Sequence, residues 1–406
     1  MSLLPREIVR CEGGKIALLV IDGLGGLPVH GVGDAADDGR TELERANLPN
    51  LDSLARRSSV GRVQLLPTGL TPGSGPGHLS LFGYDPVELE FGRGLLEALG
   101  SDYPLSGGEV AARGNFCSLN EAGEVTDRRA GRPPSDECKR LCEKLAAEVR
   151  LEGATLTLLP GKEHRFTAVF GAPGLGARVN DNDPQIEGRA TLLFRGEDDT
   201  SAHTAELANA FFEQARDILQ REAPANGVLL RGFSTRPSLD PFIEKFRLNA
   251  VGIAVYPMYR GAGRLVGMEI AEPGTDLTEQ LQVAKSMLDR YDFFFIHTKG
   301  ADTAGHSGDA AKKIQALEEV DRHIPALEKL GFDCIAITGD HSTPTMRKEH
   351  SWHPVPLIVH SKFAIPVSEV SFDERGVLKG DLGTIRGPEL MPLLLAHADR
   401  LDKYGA

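Results

Sequence analysis

Three short apolar runs, each closed by an aspartate, constrain this chain more than any other feature of its sequence. Lys15 to Val20 leads into Ile21-Asp22-Gly23. Phe293-Phe294-Phe295-Ile296 leads into His297-Thr298-Lys299-Gly300-Ala301-Asp302, and Cys334-Ile335-Ala336-Ile337 into Thr338-Gly339-Asp340-His341. Continuous rather than alternating apolarity suits strands buried on both faces, as in a parallel sheet covered by helices. Helical patterns lie between the runs: Asn50 to Arg57 after Leu48-Pro49, Leu277 to Asp289 with Asp276 as N-cap, and Ala310 to Leu330 stopped by Gly331. Strand followed by helix, repeated, predicts a doubly wound, mostly parallel α/β sheet. Ligands of such sheets bind beyond the carboxyl ends of the strands, where Asp22, Asp302 and Asp340 all fall.

The middle of the chain has a different pattern. Ser135 to Leu151 reads as helix, Ala154 to Leu159, Arg165 to Phe170 and Ala190 to Phe194 as strands, Ala202 to Gln220 as helix and Gly227 to Leu230 as strand. Site-type polar residues occur on both sides of this α+β block, which predicts an insertion. Residues 1–105 and 246–406 then form one split domain and residues 106–245 a second domain within it. A length of 406 residues accommodates both. With 45 Lys+Arg against 58 Asp+Glu, the net charge of −13 repels nucleic acid and anionic membrane, so neither is an expected partner. Runs such as Ile16 to Ile21 are too short to span a membrane, and Met1 to Arg6 shows no signal-type apolar stretch. Five scattered cysteines, with Cys138 and Cys142 on one helix face, fit a reducing cytoplasm. The sequence leaves the oligomeric state, a homo-oligomer included, open.

Outside the insertion the candidate ligands come in tight groups. Asp302-x-x-x-His306 spaces a carboxylate and an imidazole by one helical turn or one loop. Asp340 and His341 are adjacent, and on extended backbone they point in opposite directions, so they can serve two sides of a binuclear centre. His350 and His353 precede Pro354-Val355-Pro356-Leu357-Ile358-Val359, another strand-like run. Carboxylates and imidazoles without cysteine suit a hard-to-borderline divalent ion such as Mn2+, Mg2+ or Zn2+ rather than a structural zinc site. Singly, each group reads as a turn former, a cap or a surface pair. Their joint occurrence past buried-type strands is what points to metal. A further segment, Thr71-Pro72-Gly73-Ser74-Gly75-Pro76-Gly77-His78-Leu79, places Ser74 just ahead of a helix N-terminus that Pro76 can open, among glycines that let a phosphate approach backbone N–H groups. A serine hydroxyl becomes a nucleophile only with help from a base or a metal.

These segments carry a resemblance. Leu18 to Gly25, Leu48 to Ala55, Gly73-Ser74-x-x-x-His78-Leu79 with Phe82-Gly83-Tyr84-Asp85-Pro86, and Thr126-Asp127-Arg128-Arg129-Ala130-Gly131-Arg132 are joined by Lys299-Gly300-Ala301-Asp302-x-x-Gly305-His306, Thr338 to Ser342, and His350-x-x-His353-Pro354-Val355-Pro356. In this order the chain resembles the alkaline phosphatase superfamily, and within it the archaeal-type phosphoglycerate mutases that work independently of 2,3-bisphosphoglycerate. The resemblance implies an alkaline-phosphatase-like fold with a cap, and a phosphoserine formed on Ser74 at a two-metal site. One ion would take Asp302, His306 and His350, and the other Asp22, Ser74, Asp340 and His341. His353 is the alternative to His350, otherwise near the site or against substrate. Mn2+ is the first choice of ion, with Mg2+, Co2+ and Zn2+ also compatible. The chain departs from the better-known serine motif at Gly75, where that motif has an acid.

The implied activity is an isomerase (intramolecular phosphotransferase) reaction, the interconversion of 3-phosphoglycerate and 2-phosphoglycerate in glycolysis and gluconeogenesis. The alternative is another enzyme of the superfamily, a phosphomonoesterase or phosphopentomutase. A mutase must hold glycerate and exclude water. Residues 106–245 contain 14 Arg and 4 Lys, and arginine forks match carboxylate and phosphate. Expected substrate contacts are therefore Arg128, Arg129 and Arg132 with Asp127, then Arg113, Arg165, Arg231 and Arg236. Outside the insertion they are Arg260, Lys299 and His78.

Overall fold

The computed structural model describes residues 4–28, 39–89 and 92–405. The first three residues of the N-terminal stretch read above lie outside them. The chain divides into two compact units, Met1–Glu88 with Leu239–Ala406, and Leu89–Ser238. The breaks fall outside the expected limits of 106 and 245 at one end and inside them at the other, for packing reasons. Helix Arg93–Gly100 joins the second unit, where a Cβ on Gly94 would stand 2.2 Å from the Ala111 carbonyl oxygen. Helix Phe242–Phe246 joins the first unit, with the Phe242 ring 4.9 Å from that of Phe293.

The first unit is built on an eight-stranded sheet. Its order is Gly383–Arg386, Ser59–Gln64, Val355–Ser361, Cys334–Thr338, Ile16–Ile21, Phe293–Thr298, Ala250–Ile253, Glu269–Ile270. The three apolar runs are thus the central strands, and each is buried along almost its whole length. All neighbours are parallel except Val355–Ser361, which runs against both of its neighbours. Helices Pro49–Ala55, Leu277–Ser286 and Ala310–Glu328 lay Leu51, Leu54, Leu281, Leu317 and Ile324 against Ala17, Leu19, Ile335 and Ile337 of the sheet. Burial of each Leu or Ile contributes about 1.5–3 kcal/mol. The Asp276 side chain accepts from the Glu279 N–H and opens its helix as expected.

The second unit centres on Glu109–Leu119, an eleven-residue strand paired antiparallel with Val125–Asp127, Arg165–Gly171 and Gly227–Ser234; Thr155–Pro160 pairs with Arg165–Gly171. Helices Ser135–Glu148 and Asp199–Leu219 bury Cys138, Leu141, Leu145, Phe211 and Leu219 against Phe116, Phe166, Phe170 and Leu230. Ala190 to Phe194 is not a strand. Ala190 makes one isolated bridge to Glu124, and Leu192 and Leu193 face solvent, so no neighbour completes a ladder. Among the described residues no helix is long and apolar enough to cross a membrane.

Candidate metal centre

Parallel register assembles the centre. Ile21 lies opposite Thr298 and Val20 opposite Thr338, so three neighbouring strands end level. Asp22 directly follows its strand, Asp302 lies in the first turn of helix Gly300–Ser307, and Asp340 follows Thr338-Gly339. All three are buried. Gly23 permits this closeness: its φ is +69°, and a Cβ would stand 2.7 Å from Thr343 Oγ1 and 2.8 Å from Asp302 Cα.

Two groups of ligand-type atoms result. Those of Asp302, His341 and His350 lie within 4.8 Å of one another, and so do those of Asp22, Asp340 and His341. His341 Nε2 is 3.1 Å from Asp340 Oδ2 and 3.4 Å from Asp22 Oδ1. Asp340 and His341 therefore face the same group instead of pointing apart, because the backbone bends after Thr338 and strand alternation no longer applies. His306 Nε2 is 3.4 Å from Asp302 Oδ1 and 3.1 Å from His350 Nε2. The other ring nitrogen is engaged in each of the three histidines. His306 Nδ1 donates to the Lys348 carbonyl at 2.9 Å, His350 Nδ1 to the Pro72 carbonyl at 2.9 Å, and His341 Nδ1 lies 3.0 Å from Thr343 Oγ1. That pattern leaves every Nε2 turned to the centre. His353 sits apart from both groups, its Nδ1 3.0 Å from Ser351 Oγ and its ring stacked on Trp352.

Ser74 is the first residue of helix Ser74–Leu81, which opens two residues earlier than the expected Pro76, with Gly73 as N-cap. Its Oγ is 3.1 Å from His341 Nε2. A Cβ on Gly77 would stand 2.1 Å from the Asp340 carbonyl oxygen, so the glycine lets this helix lie directly on the Asp340 backbone. His78, expected to touch substrate, is wholly buried: Nδ1 donates to the Ser74 carbonyl at 2.7 Å and lies 3.4 Å from Asp340 Oδ2. Burial pushes its pKa down to about 4.

The electrostatics match a site built for cations. Asp22 Oδ1 and Asp340 Oδ2 are buried and accept no hydrogen bond, a costly state for anions unless a positive charge completes it. Lys299 Nζ donates to Asp22 Oδ2 at 2.9 Å, to Asp302 Oδ2 at 2.8 Å and to Tyr259 Oη at 2.7 Å, and the Tyr259 hydroxyl donates to Asp22 Oδ2. Burial alone would raise the Asp22 carboxyl, but His297, Lys299 and His341 beside it hold it well below its usual range. Burial likewise works against Asp302, where His350, its Nε2 3.6 Å away, and Lys299 hold the carboxyl below its usual range. Burial would lower His341, and Asp340, Asp22 and Asp302 raise it. Tyr259, His297 and Thr343 were not legible as site residues. The nearest signals were their neighbours Arg260, Thr298-Lys299 and Asp340-His341.

In the second unit, sheet register collects several of the expected arginines. Arg113 lies opposite Arg231, and Asn115 opposite Arg165, on the face away from Phe116, where Glu97 of helix Arg93–Gly100 stands 3.6 Å from Arg113 Nη1. Like charges directly opposite are destabilising, and burial with Arg165, Arg93 and Arg231 nearby lowers the Arg113 pKa to about 10. Asp183 partly compensates, accepting from Arg128 Nε at 3.0 Å and Nη2 at 2.6 Å and lying 3.4 Å from Arg231 Nε. Asp127 shapes the loop: its oxygens accept the Arg129 and Gly131 N–H groups at 2.7 and 2.6 Å. Arg129, Arg132 and Arg165 are exposed, and Arg236 donates to the Pro104 carbonyl at 2.8 Å. In the first unit Arg260 Nη2 donates to Glu272 at 3.2 Å.

Comparison with known proteins agrees along the whole chain. The family described as 2,3-bisphosphoglycerate-independent phosphoglycerate mutase matches residues 55–226. A Thermus thermophilus protein named "Probable 2,3-bisphosphoglycerate-independent phosphoglycerate mutase" is 45% identical over 412 residues, covering 100% of both chains. The solved structure of a Pyrococcus horikoshii protein superposes with a TM-score of 0.82 at 30% identity, over 97% of this chain and 100% of that one. A cofactor-independent phosphoglycerate mutase from Thermoplasma acidophilum gives a TM-score of 0.70 at 28% identity, over 95% and 100%. With identity of this order sustained from end to end and the same fold beneath it, the chain belongs to the family of 2,3-bisphosphoglycerate-independent phosphoglycerate mutases.

Proposed function

We propose that the chain interconverts 3-phosphoglycerate and 2-phosphoglycerate through a phosphoserine on Ser74, without 2,3-bisphosphoglycerate. The observation that carries the reading is Ser74 Oγ beside His341 Nε2, at 3.1 Å, where the two carboxylate–imidazole groups meet. The residues fit two divalent ions: one at Asp302, His306 and His350, the other at Asp22, Asp340, His341 and Ser74. All donors are oxygen or nitrogen, which favours Mn2+, with Mg2+, Co2+ and Zn2+ as substitutes. Bound ions would neutralise phosphoryl oxygens and ease loss of the serine proton.

This chain's own residues do the rest. Ser74 Oγ attacks phosphorus in line. Its O–P bond forms as the bond from phosphorus to the substrate's 3-oxygen breaks, and that oxygen takes up a proton. Glycerate stays held and reorients, its 2-oxygen bonds to the phosphoserine phosphorus as its hydroxyl proton leaves, and the Ser74 Oγ–P bond breaks with Oγ taking a proton back. The Ser74 N–H, at a helix N-terminus, adds a donor for anionic oxygens. Lys299 balances Asp22 and Asp302 and keeps a cation beside them. The arginine-bearing sheet face and the Arg128–Arg132 loop of the second unit carry forked guanidiniums of the kind that match a carboxylate. A reducing cytoplasm suits the five free cysteines.

The test is incubation with 3-phosphoglycerate and Mn2+, following 2-phosphoglycerate against inorganic phosphate. Mutase action gives 2-phosphoglycerate with little phosphate. Phosphate release without 2-phosphoglycerate would instead mark a phosphomonoesterase on the same metal site.

A further inference from the structure

Thr343 stands between the two ligand groups and touches one member of each. Its Oγ1 donates to Asp302 Oδ1 at 2.9 Å and lies 3.0 Å from His341 Nδ1, and the residue is fully buried. A hydroxyl has one proton to give. That proton goes to Asp302 Oδ1, to which the hydroxyl donates. The contact with His341 must then run the other way, from Nδ1–H to the hydroxyl oxygen. A neutral His341 is thereby fixed with its proton on Nδ1 and its lone pair on Nε2, the nitrogen facing Asp340, Asp22 and Ser74. His306 and His350 obtain the same result from backbone carbonyls, which only accept. His341 alone among the three depends on a side chain.

The backbone of Thr343 is itself held in place. Lys313, fully buried, donates from Nζ to the Thr343 carbonyl at 2.9 Å and to the Gly25 carbonyl at 2.8 Å. The Thr343 N–H donates to the same Gly25 carbonyl at 3.1 Å. The hydroxyl is therefore pinned from behind and has two neighbours, one in each ligand group.

We propose that Thr343 is a positioning residue that locks the His341 tautomer and couples the two ion sites, a role resting on the two-metal reading above. Removing the hydroxyl frees the His341 ring and takes a hydrogen bond from Asp302, so both ions are bound less tightly. Loss of such a supporting partner typically costs about 10–100-fold in metal affinity.

The experiment is calorimetric titration of Mn2+ into chelator-treated protein, for the unaltered chain, Thr343→Val and Thr343→Ser. Valine keeps the shape and removes the hydroxyl, and serine keeps the hydroxyl. The expected result is a loss of about 10–100-fold in Thr343→Val, with Thr343→Ser close to the unaltered chain. Unchanged affinity in Thr343→Val overturns the proposal, whereas absence of Mn2+ binding by the unaltered chain would strike the two-metal reading itself. A second measurement needs no variant and is unaffected by folding defects. Nitrogen-15 imidazole spectra of the Zn2+-loaded chain are expected to show His341 protonated at Nδ1, and a proton at Nε2 with Nδ1 bare overturns the assignment.

Discussion

At Asp22 two donors, the Lys299 ammonium and the Tyr259 hydroxyl, converge on one oxygen, Oδ2, while Oδ1 is buried with none. That asymmetry separates a carboxylate built to bind from one built to support. The same logic divides the histidines, and it yields a paired prediction. His350→Ala removes one ligand nitrogen and should cost one bound ion per chain in metal analysis, whereas His353→Ala, whose ring rests on Trp352, should leave metal content unchanged. Equal metal loss in the two variants would refute the assignment. Ser74→Ala should retain its ions and lose turnover by more than about 10³-fold, since a missing nucleophile has no substitute. The three aspartates and His341 could be read because each follows a buried-type strand within a few residues. Thr343, Tyr259 and His297 could not, because their partners lie on other elements: Thr343 reaches back to Asp302, and Tyr259 to Asp22. No local pattern records such contacts. His78 misled for the opposite reason. It was expected against substrate, and helix packing buries it with Nδ1 on the Ser74 carbonyl.

Elements hold these residues in place through a few buried polar joints. The helix Pro49–Ala55 has no side-chain cap of its own. Asp321, buried on the helix Ala310–Glu328, supplies one from outside: it accepts from the Leu51 N–H at 2.7 Å, the Asn50 N–H at 3.1 Å and Asn50 Nδ2 at 2.8 Å. A carboxylate at a helix N-terminus also meets the positive end of the helix dipole. Asp321→Ala leaves those donors unpaired and should destabilise the first unit by about 2–4 kcal/mol, measured by urea denaturation. A loss below about 0.5 kcal/mol would show that water replaces the carboxylate. At this scale the continuous apolar strands and the capped helices were legible, since burial on both faces writes itself as an unbroken run. Strand direction was not. Val355–Ser361 has the same apolar character as its parallel neighbours, and only the path of the chain back to the sheet makes it antiparallel. The strand Glu109–Leu119 was missed because Ala111, Ala112, Gly114, Asn115 and Ser118 leave it one β-branched residue, Val110, and no even alternation, and three partner strands hold it instead.

For the whole molecule, charge is the controlling quantity. The formal −13 becomes roughly −9 when two divalent ions are added, so attraction of an anionic substrate must come from local charge rather than from the overall field. Stability responds to acid in a definite direction. In the second unit burial, with Arg165, Arg129 and Arg113 nearby, pushes His164 from 6.5 down to about 4. Between those values the unfolded chain binds the extra proton, so stability should fall as pH drops from about 6.5 towards 4, and His164→Gln should flatten that slope. Removal of metal acts on the first unit. Without ions Asp22, Asp302 and Asp340 crowd into one buried centre with two carboxylate oxygens lacking any hydrogen bond, and Lys299 is the ammonium in contact with Asp22 and Asp302. An ion that binds only the folded chain adds about 2.7 kcal/mol when present at 100 times its Kd, so two such ions together rival a large share of a domain's net stability, about 5–15 kcal/mol. Thermal melts should therefore rise with added Mn2+ and fall after chelation, with the loss reversed by restoring the ion. Because the cluster belongs to the first unit, amide exchange should quicken around Asp22, Asp302 and Asp340 while the sheet around Glu109–Leu119 keeps its protection. Unchanged melting after complete removal of metal would mean that Lys299 and the histidines balance the three carboxylates unaided, and the ion-binding role of the cluster would have to be abandoned.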